Sequence, residues 1–216
     1  ADVFPGPDFI ERILPYYEQG ADYVLVDSQV ANIEHVFPRY IQAQHKYDQL
    51  HNPVEADWTE GYSCRRKAAL AVGGFPEEFG RNTAGEDGVF AGRMRSRFRR
   101  AADFSIVVPH VAPAAFRGYW HQRLGRGRGG AYRLYAYEKR PLRWGAVIRS
   151  VLGTWLLAAL LVPALRDAWR IAPYSPRGRR DWLPLAWART VEMFATGAGY
   201  WDGCREIARL GLNRPG

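Results

Sequence analysis

Residues 85–108 read GEDGVFAGRMRSRFRRAADFSIVV, and this stretch decides the fold. Phe90, Met94 and Phe98 recur every four positions, which puts them on one face of a helix that begins near Glu86 or Asp87 and runs to about Arg99. Residues 104–108 are then a short apolar run stopped by Pro109, the pattern of a buried strand. A helix that hands on directly to a buried strand is the repeating step of a layered α/β domain.

The same alternation holds upstream. Phe9, Ile10, Ile13, Leu14 and Tyr17 recur at helical spacing over residues 7–19, and Gly20 supplies the stop. Residues 23–26 are an apolar run bounded by Asp22 and Asp27, which predicts a strand buried on both faces. Residues 33–50 read as partly helical, residues 58–64 as extended, and residues 65–72 as a short helix closed by Gly73 and Gly74. The layered α/β pattern extends to about residue 116. Residues 118–130, rich in Gly and Arg, read as a loop or short helix rather than a packed element.

Beyond Pro141 the character changes, because residues 150–165 carry no charge and hold Val, Leu, Trp and Ala almost continuously. Sixteen uncharged residues fall short of the roughly 20 that span a bilayer, so the segment reads equally as a buried helix or one lying on a membrane. Arg143, Arg149, Arg166 and Arg170 flank it with the positive charge that suits an anionic surface. Pro163 is a candidate kink, and residues 182–194 form a second weakly apolar stretch suited to pair with it. Residues 131–216 are therefore expected to be a helical, membrane-associated C-terminal region.

The 216 residues, 47% hydrophobic and 24% charged, exclude a disordered chain, and the two cysteines, Cys64 and Cys204, exclude a disulfide scaffold and point to a reducing, cytoplasmic setting. There is no signal-peptide pattern at the N-terminus. The formal charge of +8 is clustered, at Arg93, Arg95, Arg97, Arg99 and Arg100 and again at Arg117, Arg123, Arg126, Arg128 and Arg133. An acidic partner is implied, whether nucleotide phosphate, lipid headgroup or nucleic acid.

Four signals occur in an order that resembles the family 2 glycosyltransferases of the GT-A fold. Ala1-Asp2 with Val3-Phe4-Pro5 is similar to the end of that family's Asp-x-Asp motif. Cys64-Arg65-Arg66 through Gly73-Gly74-Phe75-Pro76 is similar to its Arg-rich turn, short helix and Gly-Gly-Phe turn. Gly85-Glu86-Asp87, with Arg93 beyond, is similar to its Glu-Asp motif, and a strand ending in Pro109-His110 precedes Trp120-His121-Gln122-Arg123. The Gln-x-x-Arg-Trp of processive members is not present, since Arg126 lies four positions after Gln122 and is followed by Gly127, which argues against a polymerising enzyme.

The resemblance implies a truncated, Rossmann-like GT-A domain over residues 1–130, the acceptor-side part of the nucleotide-diphospho-sugar transferase fold. The nucleotide-binding half precedes Asp2 in that family, so this piece alone is expected to be inactive. Asp87 is implied as the base and Glu86 as the residue orienting the acceptor or a cation. Asp2 and His110 are implied ligands of Mn²⁺ or Mg²⁺ at the diphosphate, hard oxygen suiting either ion and imidazole tilting toward Mn²⁺. Arg123 and Arg126 would close over the donor diphosphate on a loop hinged at glycines, and Trp58, Tyr62 and Trp120 would stack on the acceptor sugar. Each has a plainer reading: a hydrogen-bonded strand-end histidine, a turn aspartate, a helix cap, a solvated basic loop, core aromatics. Arg93 would brace the carboxylates.

The implied reaction is sugar transfer from a nucleotide-sugar donor to a glycan or lipid-linked hydroxyl of the cell envelope, at the cytoplasmic face of the membrane. The alternative is a basic module that binds nucleic acid or an anionic membrane without catalysis, supported by the Arg-Gly run at residues 123–130. Nucleic acid leaves the Glu-Asp pair unexplained and is the weaker reading.

Overall fold

The computed structural model describes residues 3–52, 60–79 and 84–212. Helix α1 (Phe9–Glu18) leads into strand β1 (Tyr23–Val30), followed by α2 (Val36–His51), β2 (Ser63–Cys64), α3 (Arg66–Ala71), α4 (Glu86–Arg97) and β3 (Arg100–His110). The chain is then helical: α5 (Phe116–Ala131), α6 (Trp144–Ala159), α7 (Val162–Ile171) and the long α8 (Trp182–Leu210). The class is α/β.

The sheet has the order β2-β1-β3, with β1 antiparallel to β2 and parallel to β3. Central β1 is buried nearly throughout because both of its faces are covered. Val24 and Val26 point toward α1 with Ile13, Ile106 and Val108, while Tyr23 and Leu25 point the other way onto Ala68 of α3, Val72 just after it, and Phe90 and Met94 of α4. The face predicted from Phe90 and Met94 is thus the one that packs. Arg65 donates from Nε to the Ala21 carbonyl at 3.0 Å and from Nη2 to the Tyr17 carbonyl, capping the end of α1 with a cation.

Pro109 does not stop β3. The register Gln29↔Pro109, Val30↔His110 continues past it, because the Pro109 backbone turns its polar side away from β1, where its carbonyl accepts from Phe4 (2.8 Å), and a missing N–H on that outer side breaks no bond to β1. Of the extended segment expected at residues 58–64, Ser63 and Cys64 form a strand, and residues 53–59 lie outside the described residues.

The largest correction concerns residues 118–130. They form the interior of α5, packed along α8, and their glycines serve close approach rather than hinge freedom. A Cβ on Gly127 would lie 2.1 Å from the Thr196 carbonyl oxygen, and one on Gly199 would lie 2.0 Å from the Leu124 carbonyl oxygen. Gly203 meets Arg128 and Ala131 in the same seam. Glycine on both helices lets the backbones touch, which outweighs its poor helix propensity. One core cluster joins Val30, Phe37, Tyr40 and Tyr119 to Ala168, Leu185 and Ala188, so the packing runs across residue 130 without a break.

The apolar stretch at residues 150–165 is two helices. Leu161 adopts φ 60 and Pro163 sits in the first turn of α7, where its missing N–H is tolerated. Helix α6 packs on α8 through Trp155, whose Nε1 donates to the Phe194 carbonyl at 3.2 Å and lies against Gly197.

Candidate functional site

Helix α4 starts at Gly85, whose φ of 118 belongs to the left-handed region that glycine enters at little cost. Glu86 and Asp87 occupy the first turn, where the partial positive charge of the helix N-terminus favours carboxylate. Asp87 Oδ1 accepts the Gly88 N–H at 2.7 Å, and Glu86 Oε2 is inaccessible with no hydrogen-bond partner among the described residues. The segment entering α4 is seated on α5. Ala84 donates its N–H to the Gly125 carbonyl at 3.2 Å, and a Cβ on Gly129 would lie 1.3 Å from the Ala84 carbonyl oxygen.

Asp87 and Arg126 line one recess of about 360 Å³, together with Gly85, Gly88, Gly130 and Arg133. Arg126 keeps an exposed side chain, yet the surrounding protein and then the Arg123 charge lower its pKa, while Glu192, Glu60 and Asp87 act the other way. A second recess of about 230 Å³ shares Arg126 and Gly130 and continues between α5, α6 and α8 past Thr154 and Thr196. The guanidinium therefore stands where the two recesses meet.

Behind it lies a polar core. Arg123 is fully buried, its Nη1 3.3 Å from Glu192 Oε1 and its guanidinium over the Tyr119 ring at 4.8 Å. Glu192 also accepts from the Tyr40 hydroxyl and from Arg189 at 2.9 Å. Burial alone would raise the Glu192 carboxyl, but the Arg123 and Arg189 charges outweigh it and hold the pKa below the ordinary range. Arg123 is thus a partner of Glu192 inside the helical core and does not line the recess, so of the two arginines expected at the diphosphate Arg126 is the one that lines it, with Arg133 beside it.

His110 ends β3 buried, with Nδ1 3.0 Å from Ser28 Oγ and its ring 6.0 Å from that of His45 on α2. Both parallel strands thus deliver their carboxyl ends to this corner, where ligands bind in open α/β sheets. His45 is held at about 3, first by burial and then by the positive charge of Arg126. A histidine whose folded pKa is depressed contributes stability that is complete above its unfolded value, roughly 6.5, and is lost as pH falls toward the folded value. The melting temperature should fall between pH 6.5 and 5, above the range in which carboxylates titrate, and His45→Gln should flatten that slope. An unchanged slope would show that His45 accepts its proton in the folded state without penalty.

The other expected site residues are placed as follows. Tyr62 stacks on Tyr23 (5.4 Å) and meets Phe90 edge-on, so it is a packing residue of the sheet core, not a platform facing the recess. Trp120 is half-buried beside Phe116 and packs against the helical core. Arg93 does not brace the carboxylates: it donates to the Tyr137 hydroxyl (2.9 Å) and to the Val72 carbonyl (3.1 Å), tying α4 to the Gly73-Gly74 turn. Asp2 and Trp58 lie outside the described residues, and no three His, Cys, Asp or Glu side chains converge on a metal-sized site among those described. His110, the other expected ligand, is buried with Nδ1 tethered to Ser28, a contact that fixes the orientation of its imidazole.

Sequence reasoning missed His45, Tyr40 and Glu192. For Glu192 a signal was available, since it and Arg189 are the only charges between Leu183 and Tyr200, and charges in so apolar a stretch need buried partners. Comparison with protein-family models, curated proteins and solved structures returns no match.

Proposed function

We propose that the chain is the acceptor-side part of a GT-A type family 2 glycosyltransferase, in which Asp87 deprotonates the acceptor hydroxyl. The observation that supports this most directly is that Asp87 and Arg126 line a single recess at the N-terminus of α4. A carboxylate on a rigid helix start and a cation a short way across an open cleft are what in-line displacement at a sugar requires.

The acceptor oxygen attacks the anomeric carbon as its proton passes to Asp87, and the bond from that carbon to the diphosphate oxygen breaks with the electron pair leaving on the nucleotide diphosphate. Configuration at the sugar inverts. Glu86 orients the acceptor, and Arg126 offsets charge on the departing group. Asp2 and His110 are the residues assigned to Mn²⁺ or Mg²⁺, which when bound supplies further charge neutralisation for the diphosphate. The Arg-Gly run that suggested a nucleic-acid binder belongs to a packed helix in which Arg123 is spent on Glu192 rather than presented to a phosphate backbone.

Arg126→Ala tests the assignment of the cation. In the full-length protein it should lower turnover about tenfold or more and weaken donor binding, whereas Arg133→Ala at the rim of the same recess should change either by no more than a few-fold. Equal effects of the two would show that the recess offers only a general positive field.

A further inference from the structure

We propose that α6 and α7 form a wedge that enters one leaflet of an anionic bilayer, with its tip at Leu160, Leu161 and Val162. The proposal is independent of the transferase reading.

Helix α6 presents Ile148, Leu152 and Leu156 at four-residue spacing, followed by Leu160 at its C-terminal cap, all exposed, while Val147, Val151 and Ala158 are buried against the body. The stripe continues over the break to Leu161 and Val162, which are 47% and 66% exposed. Half a dozen large aliphatic side chains in one line is more apolar surface than a lone folded chain usually leaves in water. Among the described residues no single helix is long and apolar enough to cross a membrane, but α6 and the segment Val162–Tyr174 pass together and are bent by 70° at the break. The positive φ of Leu161 sets that bend in the backbone itself.

Charge selects the occupant. Arg149 on one arm and Arg166 and Arg170 on the other are exposed on either side of the tip, and Asp167, the one acid in α6 and α7, is neutralised by Arg189 at 3.0 Å. From Leu152 to Leu161 the helix rises about 13 Å, roughly half of a hydrocarbon core of about 30 Å. The arginines of both arms can then meet the headgroups of a single leaflet. A second copy of this face would bring like-charged borders together across a two-fold axis, which disfavours self-association.

Flotation of the whole chain with vesicles of phosphatidylcholine, with and without roughly a third phosphatidylglycerol, tests the proposal. Binding to the anionic vesicles should fall on the order of 10²-fold when Arg149, Arg166 and Arg170 become Gln, about fivefold for each. It should fall at least tenfold when Leu156, Leu160 and Leu161 become Ser, and since these side chains are exposed the melting temperature of that variant should hold. In a Cys64→Ser, Cys204→Ala background, an environment-sensitive fluorophore on Leu161→Cys should shift to the blue on binding and be quenched by spin labels within the acyl chains. Equal flotation of the Ser variant and the parent overturns the wedge. So does a concentration-dependent dimer in sedimentation that the Ser variant abolishes, or a tip label that stays in water on bound protein.

Discussion

Under the proposed transferase reading, replacing Asp87 by Asn is expected to lower turnover by at least about 10²-fold at saturating donor and acceptor, the scale of losing a general base. The change isolates chemistry from structure. Asp87 Oδ1 accepts the Gly88 N–H in the first turn of α4, and an amide oxygen accepts the same bond, so the helix start is kept. Donor affinity should be close to that of the parent. Glu86→Gln should act mainly on acceptor use, raising the acceptor KM more than it lowers kcat. An Asp87→Asn enzyme within a few-fold of the parent, with the fold verified by melting, would remove Asp87 from proton transfer and leave it a helix cap.

A large effect on stability is expected in the α5–α8 seam. Gly199→Ala places a methyl 2.0 Å from the Leu124 carbonyl oxygen, a backbone atom that no rotamer change can move aside, so the helices must separate. A loss of about 3 kcal/mol follows from overpacking of this kind, a fall in melting temperature of roughly 6–12 °C for a chain of this size. Gly92→Ala on α4 is the control of opposite sign: nothing lies within 4 Å of its added Cβ, and the gain in helix propensity should stabilise by about 0.5–1 kcal/mol. If Gly199→Ala melts with the parent, then α8 does not lie against α5 at backbone contact.

That seam also marks where sequence legibility ended. The helices containing Phe9 and Ile13 and containing Phe90 and Met94, and the strand at Tyr23, were readable because each repeats its apolar residues at the period of its own backbone. The Gly-Arg stretch reads as a loop because glycine has the same letter whether it frees a loop or admits a neighbouring helix, and only the seating of Gly199 and Gly203 of α8 against α5 distinguishes the two. The candidate site was half legible. Gly85-Glu86-Asp87 stood out as acids at a helix start, but Arg123 and Arg126 looked equivalent, and burial against Glu192, 69 positions away in the chain, separates them.

By itself the sequence determined the α/β class, most helix and strand positions in residues 1–110, the acidic start of α4 and the apolar character of α6. These are properties of a local repeat or of composition, and they do not depend on what lies across the fold. Only the tertiary structure decided that α5 is a packed helix, that Arg126 rather than Arg123 shares a recess with Asp87, that Tyr62 is core, and that the apolar segment bends at Leu161 with its leucines outward. Each of these turns on which side chains meet over long sequence separations, and burial of a charge or a ring is a property of that meeting and not of the residue.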